Sequence, residues 1–475
     1  MKKGSSLSQK ILKVMALFTG MQFFTVLCTI IKTKLVALWL SADGVGLFGI
    51  LTTTTETTGT LTDLGLRQSA VRDVAQTASN PTLLSRMAVV VRRWSLFTGL
   101  LGAVVISGLC IPLSLWFFGT AGRWWMFALM SAVMLLNAVA GGEQALLQGA
   151  QRFKPLLRIS TWGAAGGLLV SVPLLRWGGL TGVIWTVIAY SACTLAAALI
   201  LRLRTPQKPK ITVSEVIKEG SGFVRLGTWM AVAAFVTNLA QMAFMAYLSG
   251  FDSLQEVGFY QAGITLVVRY MGLIFTAMAM EYYPRLSANI FSAKRTSMFV
   301  NHEARVLLTV LIPVIALFLL LRQWIVVLLY RPEFAVMIPF ISWAVLSCVF
   351  KATSWSMAFV ILARGNGTVY VLTESIDAVI GLTLCIAGYR LMGLEGVGIA
   401  FIAWYALYML ITGWVYVRRY RLHLAASTLW MTLLCFLLGL GELLAIKYLP
   451  YWLCCLLCGS VAVVSLPFLR RIWRR

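Results

Sequence analysis

The chain has 475 residues, of which 60% are hydrophobic and 12% charged, and its formal net charge is +24. That balance excludes a soluble globule and describes a helical protein that crosses a membrane many times. The basic residues cluster just outside apolar segments, as the positive-inside rule requires, so the charge reports topology and not nucleic-acid binding.

The N-terminus imitates a secretory signal, with Lys2, Lys3, Lys10 and Lys13 ahead of an apolar run from Met15 to Ile31. No small-residue cleavage site follows, so it reads as a retained first span. Hydropathy predicts 14 spans between residues 11 and 469. With the N-terminus inside, most of the 40 lysines and arginines fall on the cytoplasmic side, and an even number of spans returns the C-terminus there. The predicted architecture is an all-α polytopic membrane protein with two pseudo-symmetric six-helix bundles and two extra helices. The expected boundaries are 1–203 for the first bundle, 204–222 for a cytoplasmic linker, 223–421 for the second bundle, and 422–475 for two further spans and a basic tail, RRIWRR.

Two short echoes support the two-fold organisation. GVGLF at 44–48 matches EVGFY at 256–260, and GLTGV at 179–183 matches GLEGV at 393–397. The offsets are nearly equal, and six spans per copy gives both copies the same topology. Pro112 and Pro313 mark expected bends in the third and ninth spans. Segment 67–93 and the stretch from Trp324 to Tyr330 read as amphipathic helices at the two membrane surfaces.

The second span places Thr52, Glu56, Thr60 and Asp63 on one helical face, and Arg67 extends that face toward the cytoplasm. Glu56 lies roughly 16 Å from the outer end, near the midplane. The eighth span places Thr265, Arg269, Gly272 and Thr276 at helical spacing. An arginine at the centre of a span costs at least about 2.5–3.5 kcal/mol, so Arg269 should meet a partner or a wet cavity. A pair between Glu56 and Arg269 is one reading, and a substrate-facing arginine is the other. The tenth span carries Ser347, Lys351 and Ser354, and the eleventh carries Thr373, Glu374 and Asp377. Lys351 is read either as an ion pair with Asp377 or as a ligand for an anion. The fourth and seventh spans add Asn137, Glu143, Gln144, Gln148, Asn238 and Gln241. Together these faces describe a polar cavity with Arg269 and Lys351 near its middle, suited to an anionic solute such as a phosphate. Glu56, Asp63 and Asp377 are the candidates for coupling to H+ or Na+.

The nine cysteines lie in apolar runs and read as small hydrophobes, and the cluster Cys454, Cys455, Cys458 lacks a nearby His or Asp that would make it a metal site. The two histidines, His302 and His423, fall in polar connections. No catalytic group, metal or cofactor is expected, and nucleic acid is not a partner.

DGVGLFG (43–49), TDLGLRQSAVRDVA (62–75), QEVGFYQAG (255–263), YYPRLS (282–287) and the segment from Phe350 through Lys351 to ILARGNG (361–367) occur in order along the chain. On these motifs the sequence resembles the polysaccharide flippases of the MOP superfamily, in the O-antigen and lipid-linked oligosaccharide translocase group. The resemblance implies two six-helix bundles around a cavity. It implies movement of an undecaprenyl-pyrophosphate-linked oligosaccharide across the bacterial inner membrane by alternating access, with membrane lipids as surroundings. It also implies substrate-binding roles for Lys351 and for Lys34, which resembles the lysine ending the first span of related flippases. Arg269 matches an eighth-span arginine of related peptidoglycan-precursor flippases. The first-span arginines of those proteins are missing here. An ion-coupled multidrug or metabolite antiporter of the same superfamily is the alternative. A membrane-embedded glycosyltransferase or polymerase would need an acid–base or metal constellation that the loops do not offer.

Overall fold

The structure, a computed structural model, describes residues 2–461 except 64, 78–79, 204–208, 210, 252 and 451. The basic tail, the last part of the fourteenth predicted span, much of the predicted linker and the side chain of Arg67 lie outside the described residues. The described chain is helical throughout and belongs to a polytopic membrane protein. Its elements are α1 (Lys2–Thr62), α2 (Leu66–Thr77), α3 (Pro81–Gly108), α4 (Cys110–Phe118), α5 (Trp124–Gly149), α6 (Phe153–Ile200) and α7 (Val213–Phe251). There follow α8 (Leu254–Ile264), α9 (Met271–Asn289), α10 (Ala293–Leu329), α11 (Ile338–Ala363), α12 (Gly367–Trp414) and α13 (Ala426–Tyr448). A π-helical turn, Thr265–Tyr270, joins α8 to α9.

Among the described residues, 10 helices are long and apolar enough to cross a membrane, against 14 spans expected. The difference has a structural cause. Predicted spans one and two, five and six, and eleven and twelve run as continuous helices, each interrupted by a short break. The breaks fall at Ser41 in α1, Gly179 in α6 and Met392–Gly393 in α12. The last predicted span is described only over the short apolar helix Trp452–Val461.

The two echoes reappear as backbone geometry. Gly179 has φ 57°, ψ −141° and Gly393 has φ 61°, ψ −144°, a region that strongly favours glycine, although Ser41 takes a similar turn at φ 57°, ψ −161°. Beyond each break the chain folds closely on itself: a Cβ at Gly182 would strike the Leu174 carbonyl, and one at Gly396 would strike the Gly388 carbonyl. The other echo is also a close approach, since Gly46 lies against the Leu254 carbonyl and Gly258 against the Ala42 carbonyl.

The chain forms two compact units, Met1–Gly258 and Phe259–Arg475. The first includes α7, which packs along α1, so the division falls later than the composition break at 204–222. The core at one end of the first unit joins Ala70 and Val74 of α2 to Val90, Val91, Leu146 and Ile159. The apolar side of α2 is docked on α5, with Val74 against Gly149. In the second unit Tyr282, Leu286, Val300, Val360 and Tyr416 form the matching core, and the Tyr282 hydroxyl donates to the Ser356 carbonyl at 2.7 Å. The stretch from Trp324 is the continuation of α10 and not a separate surface helix. The bend expected near Pro112 occurs at Leu109, between α3 and α4. Pro112 then sits in the first turn of α4, where its missing N–H leaves no bond unmade. Pro313 stays inside α10.

Candidate functional site

The run TTTTETTGTLTD in the second half of α1 is an unusual sequence for a spanning helix. Five of its eight threonine hydroxyls are satisfied locally: Thr52, Thr55, Thr57, Thr60 and Thr62 each donate to a carbonyl three or four residues back, at 2.7–3.0 Å to the nearer acceptor, while the hydroxyls of Thr53 and Thr54 are buried with no hydrogen-bond partner among the described residues. With those hydroxyls turned onto the backbone, Glu56 and Asp63 are the chemistry the helix presents. Both line a cavity of about 440 Å³ inside the first unit. Asn137 of α5, Asn238 of α7 and Ser95 of α3 contribute to the same wall. Of the predicted face of Thr52, Glu56, Thr60 and Asp63, the last three line this cavity and Thr52 does not. Glu143 is not on it; that carboxylate pairs with Arg92.

Lys34 lies half-exposed on the first half of α1. Two residues earlier is a cation that sequence reasoning passed over. The Lys32 ammonium sits 4.6 Å from the Phe48 ring centre and 4.7 Å from that of Tyr190. Lys32 and Tyr190 are 158 positions apart and give no short-range signal of such a pairing.

In the second unit, Lys351 of α11 points at aromatic faces. Its Nζ is 5.1 Å from the ring centre of Tyr405 and 5.6 Å from that of Phe275, within cation–π range. Two carboxylates of α12 lie within electrostatic reach of it, Glu374 and Asp377. Each is held by an aromatic donor from beyond the Gly393 break. Trp404 Nε1 donates to Asp377 Oδ1 at 2.6 Å, and the Tyr408 hydroxyl donates to Glu374 Oε1 at 2.6 Å. The spacings i, i+3 on one half of α12 and i, i+4 on the other bring both pairs into register. Sequence reasoning found the carboxylates and the lysine, but not the aromatic residues that orient them. Ser347 and Ser354, expected beside Lys351, bond to their own helix at the Ala344 and Lys351 carbonyls.

Arg269 is exposed on the second unit, within the π-helical turn. That turn interrupts the α-helical spacing on which its predicted face was drawn. Thr265 is buried and bonded to the Gln261 carbonyl, while Arg269 and Thr276 are exposed. Single π turns inside α-helices recur at functional sites.

These two polar centres, set in apolar helices, frame the comparison with known proteins. Residues 35–339 match the family model described as "Polysaccharide biosynthesis protein". The chain belongs to that family. No curated protein matches it. Among solved structures it is similar to a lipid II flippase MurJ in an inward closed conformation, with 14% identity and a TM-score of 0.71 over 97% of this chain and 100% of that one. It is also similar to an inward-facing multidrug resistance MATE family transporter of the MOP superfamily, at 14% identity and TM-score 0.63, over 83% of this chain and 94% of that one. A Vibrio cholerae MATE transporter matches at 14% identity and TM-score 0.58, over 89% of this chain and 98% of that one. At such identities the likeness establishes a shared fold.

Proposed function

We propose that this polysaccharide biosynthesis protein is a flippase. It moves an undecaprenyl-pyrophosphate-linked oligosaccharide, an O-antigen or similar surface polysaccharide unit, from the cytoplasmic to the periplasmic leaflet of the inner membrane. The observation that carries the reading is the union of a polysaccharide biosynthesis family match with a transporter fold over almost the whole chain. The side chains support it. Lys351 and Arg269 supply cations for the pyrophosphate, while the lipid tail stays in the bilayer. A lysine set among aromatic faces, with its carboxylate neighbours held by Trp404 and Tyr408, can take an anion without first dissolving a tight ion pair. Glu56, Asp63 and Asp377 are the carboxylates available for H+ or Na+ coupling. Both termini lie on the cytoplasmic side in this reading, as the basic residues demand.

The test is deletion in the native host, followed by identification of the lipid-linked saccharide that accumulates on the cytoplasmic leaflet. Accumulation of a pyrophosphate-linked oligosaccharide, relieved by the wild-type chain but not by Arg269→Glu at equal membrane abundance, is the expected result. Undiminished transport by Arg269→Ala would remove the anion role from that residue. A second reading, an ion-coupled antiporter for cationic compounds, draws on the acidic lining of the first-unit cavity. Efflux of such compounds from a sensitised strain, without any lipid-linked saccharide phenotype, would favour it.

A further inference from the structure

The second unit repeats part of the first without a gap. Helices α5 and α11 are each 26 residues long, and α6 and α12 are each 48. Both later helices start 214 positions after their counterparts, at 338 against 124 and at 367 against 153. The backbone breaks at Gly179 and Gly393 keep the same offset. Each residue of α11 and α12 therefore has a counterpart in the first unit that shows what this fold accepts at that position.

The counterparts lack the charges. Asn137 stands where the second copy has Lys351, Ser160 where it has Glu374, and Gly163 where it has Asp377. The ring packing, in contrast, is shared. A Cβ at Gly167 would strike the Tyr190 ring, and one at the matching Gly381 would strike the Trp404 indole. A ring over a glycine thus packs the two halves of the long helix in both copies, and the first copy does so without an indole. Thr194, at the position of Tyr408, lies over Gly163 and donates its hydroxyl to the Tyr190 carbonyl of its own helix at 2.9 Å. In the second copy the side chains at these two positions donate to carboxylates instead, Trp404 to Asp377 and Tyr408 to Glu374.

The donors accompany the charges and not the packing. We infer that Trp404 and Tyr408 are positioning residues, which hold Asp377 and Glu374 so that Lys351 stays open to a phosphate. The inference rests on the flippase reading and adds the residues that keep its cation available. Asp377 is 8% exposed, and a carboxylate so placed needs a donor or a cation. Both carboxylates have Lys351 within electrostatic reach. Among the described residues no ion pair joins either of them to it. A carboxylate deprived of its aromatic donor would turn to that lysine. An entering anion would then have to break a buried pair, whereas an ammonium resting on the faces of Phe275 and Tyr405 keeps its charge on offer.

The experiment titrates inorganic pyrophosphate into the purified full-length chain in detergent. Export of surface polymer is measured beside it in a flippase-null strain, at matched membrane abundance. Tyr408→Phe keeps the ring and removes the donor. It is expected to weaken pyrophosphate binding at least about tenfold, as for a lost charge-assisted contact. Adding Glu374→Gln removes the competing charge and is expected to recover binding at least about fivefold over Tyr408→Phe alone. Export is expected to fall and recover in the same order. A tyrosine that only supports the fold would lower the unfolding midpoint and leave the Kd of the folded protein unchanged, which overturns the inference. If Tyr408→Phe is not recovered from the membrane, binding is compared for Trp404→Phe alone and with Asp377→Asn, where the same loss and recovery are expected. Unchanged binding in the variant without its donor, or a loss that neutralising the carboxylate does not relieve, overturns the inference and leaves the flippase reading standing. A wild-type chain that restores export but binds no pyrophosphate does the same. A wild-type chain that does not restore export to the null strain defeats the flippase reading itself, and the inference with it.

Discussion

Arg92 and Glu143 form a two-point ion pair, with Arg92 Nε 2.6 Å from Oε1 and Nη2 3.1 Å from Oε2. Glu143 is only 3% exposed, and Arg92 donates a further bond to the Leu203 carbonyl at 2.9 Å. The next two residues of α3 continue the pattern. Arg93 donates to the Ile211 carbonyl at 2.7 Å, and the Trp94 indole donates to the Val216 carbonyl at 2.8 Å. Three consecutive side chains of α3 thus hold both ends of the segment that leads from α6 into α7. At its far end Thr212 and Glu215 form a capping box, with the Thr212 N–H donating to Glu215 Oε2 at 2.8 Å. These bonds, with Arg86 nearby at 3.3 Å, hold the Glu215 carboxyl below its usual range.

Glu143→Ala is expected to destabilise the protein. Removing one partner of a buried pair costs about 3–5 kcal/mol. The Arg92 side chain is 31% exposed, so water recovers part of that, and the loss should lie nearer about 2 kcal/mol. Thermal unfolding in detergent measures it, with Glu143→Gln showing a smaller drop because it still accepts from Arg92. An unchanged midpoint for Glu143→Ala would show that the pair contributes nothing.

Gly179 and Gly393 should each resist substitution. Their φ and ψ lie where a Cβ is strained by about 1–3 kcal/mol, whatever space surrounds it. Gly179→Ala and Gly393→Ala are expected to lower the unfolding midpoint. Gly178→Ala, where a Cβ meets nothing within 4 Å and φ is ordinary, should change stability by less than about 0.5 kcal/mol. Equal effects at 178 and 179 would contradict the strain argument.

These glycines also show what the sequence reveals and what it hides. GLTGV and GLEGV were legible as a repeat because each has one glycine at a positive-φ bend and a second at a close backbone contact. The helical class and the polar face of Glu56 and Asp63 were legible for a similar reason, since hydropathy and a 3.6-residue period are local properties. The pairing of Glu143 with Arg92, 51 positions away, was not legible: both residues are polar in apolar surroundings, and no short-range spacing says which cavity or partner a buried carboxylate meets. The same holds for Trp404 and Tyr408, whose aromatic character conceals their roles as donors to Asp377 and Glu374. The π turn at Arg269 leaves no mark in residue type at all.

Asn301 ties the connection after α12 to α10. Its Nδ2 donates to the Ser297 carbonyl at 2.7 Å and the His423 carbonyl at 3.0 Å, and its Oδ1 accepts from Ala425 N–H and the Thr428 hydroxyl, both at 2.8 Å. The residue is 5% exposed, so each group orphaned by its removal costs about 1–3 kcal/mol, though the costs will not add fully. Asn301→Leu, similar in volume, is expected to lose at least about 2 kcal/mol. Asn301→Asp keeps the two acceptor bonds and should fall between. Wild-type stability in Asn301→Leu would mean that water replaces all four bonds.

Lys351 separates the transport reading from a structural one. A contact between its ammonium and a pyrophosphate, being charge-assisted, is worth about 1.5–3 kcal/mol, and about 1.4 kcal/mol is tenfold. Lys351→Met keeps an apolar stem between Phe275 and Tyr405 while removing the charge, so export should fall at least tenfold with the unfolding midpoint nearly unchanged. Lys351→Arg keeps the charge on a planar group that needs a different approach to a phosphate, and should restore export only in part. If Lys351 serves instead to balance Glu374 and Asp377, the pattern reverses. Lys351→Met would then lower the midpoint, and adding Asp377→Asn would recover it while export follows the amount of folded protein. Measuring export and unfolding on the same four chains decides between the two. Full export by Lys351→Met at normal abundance would remove the lysine from the substrate path altogether.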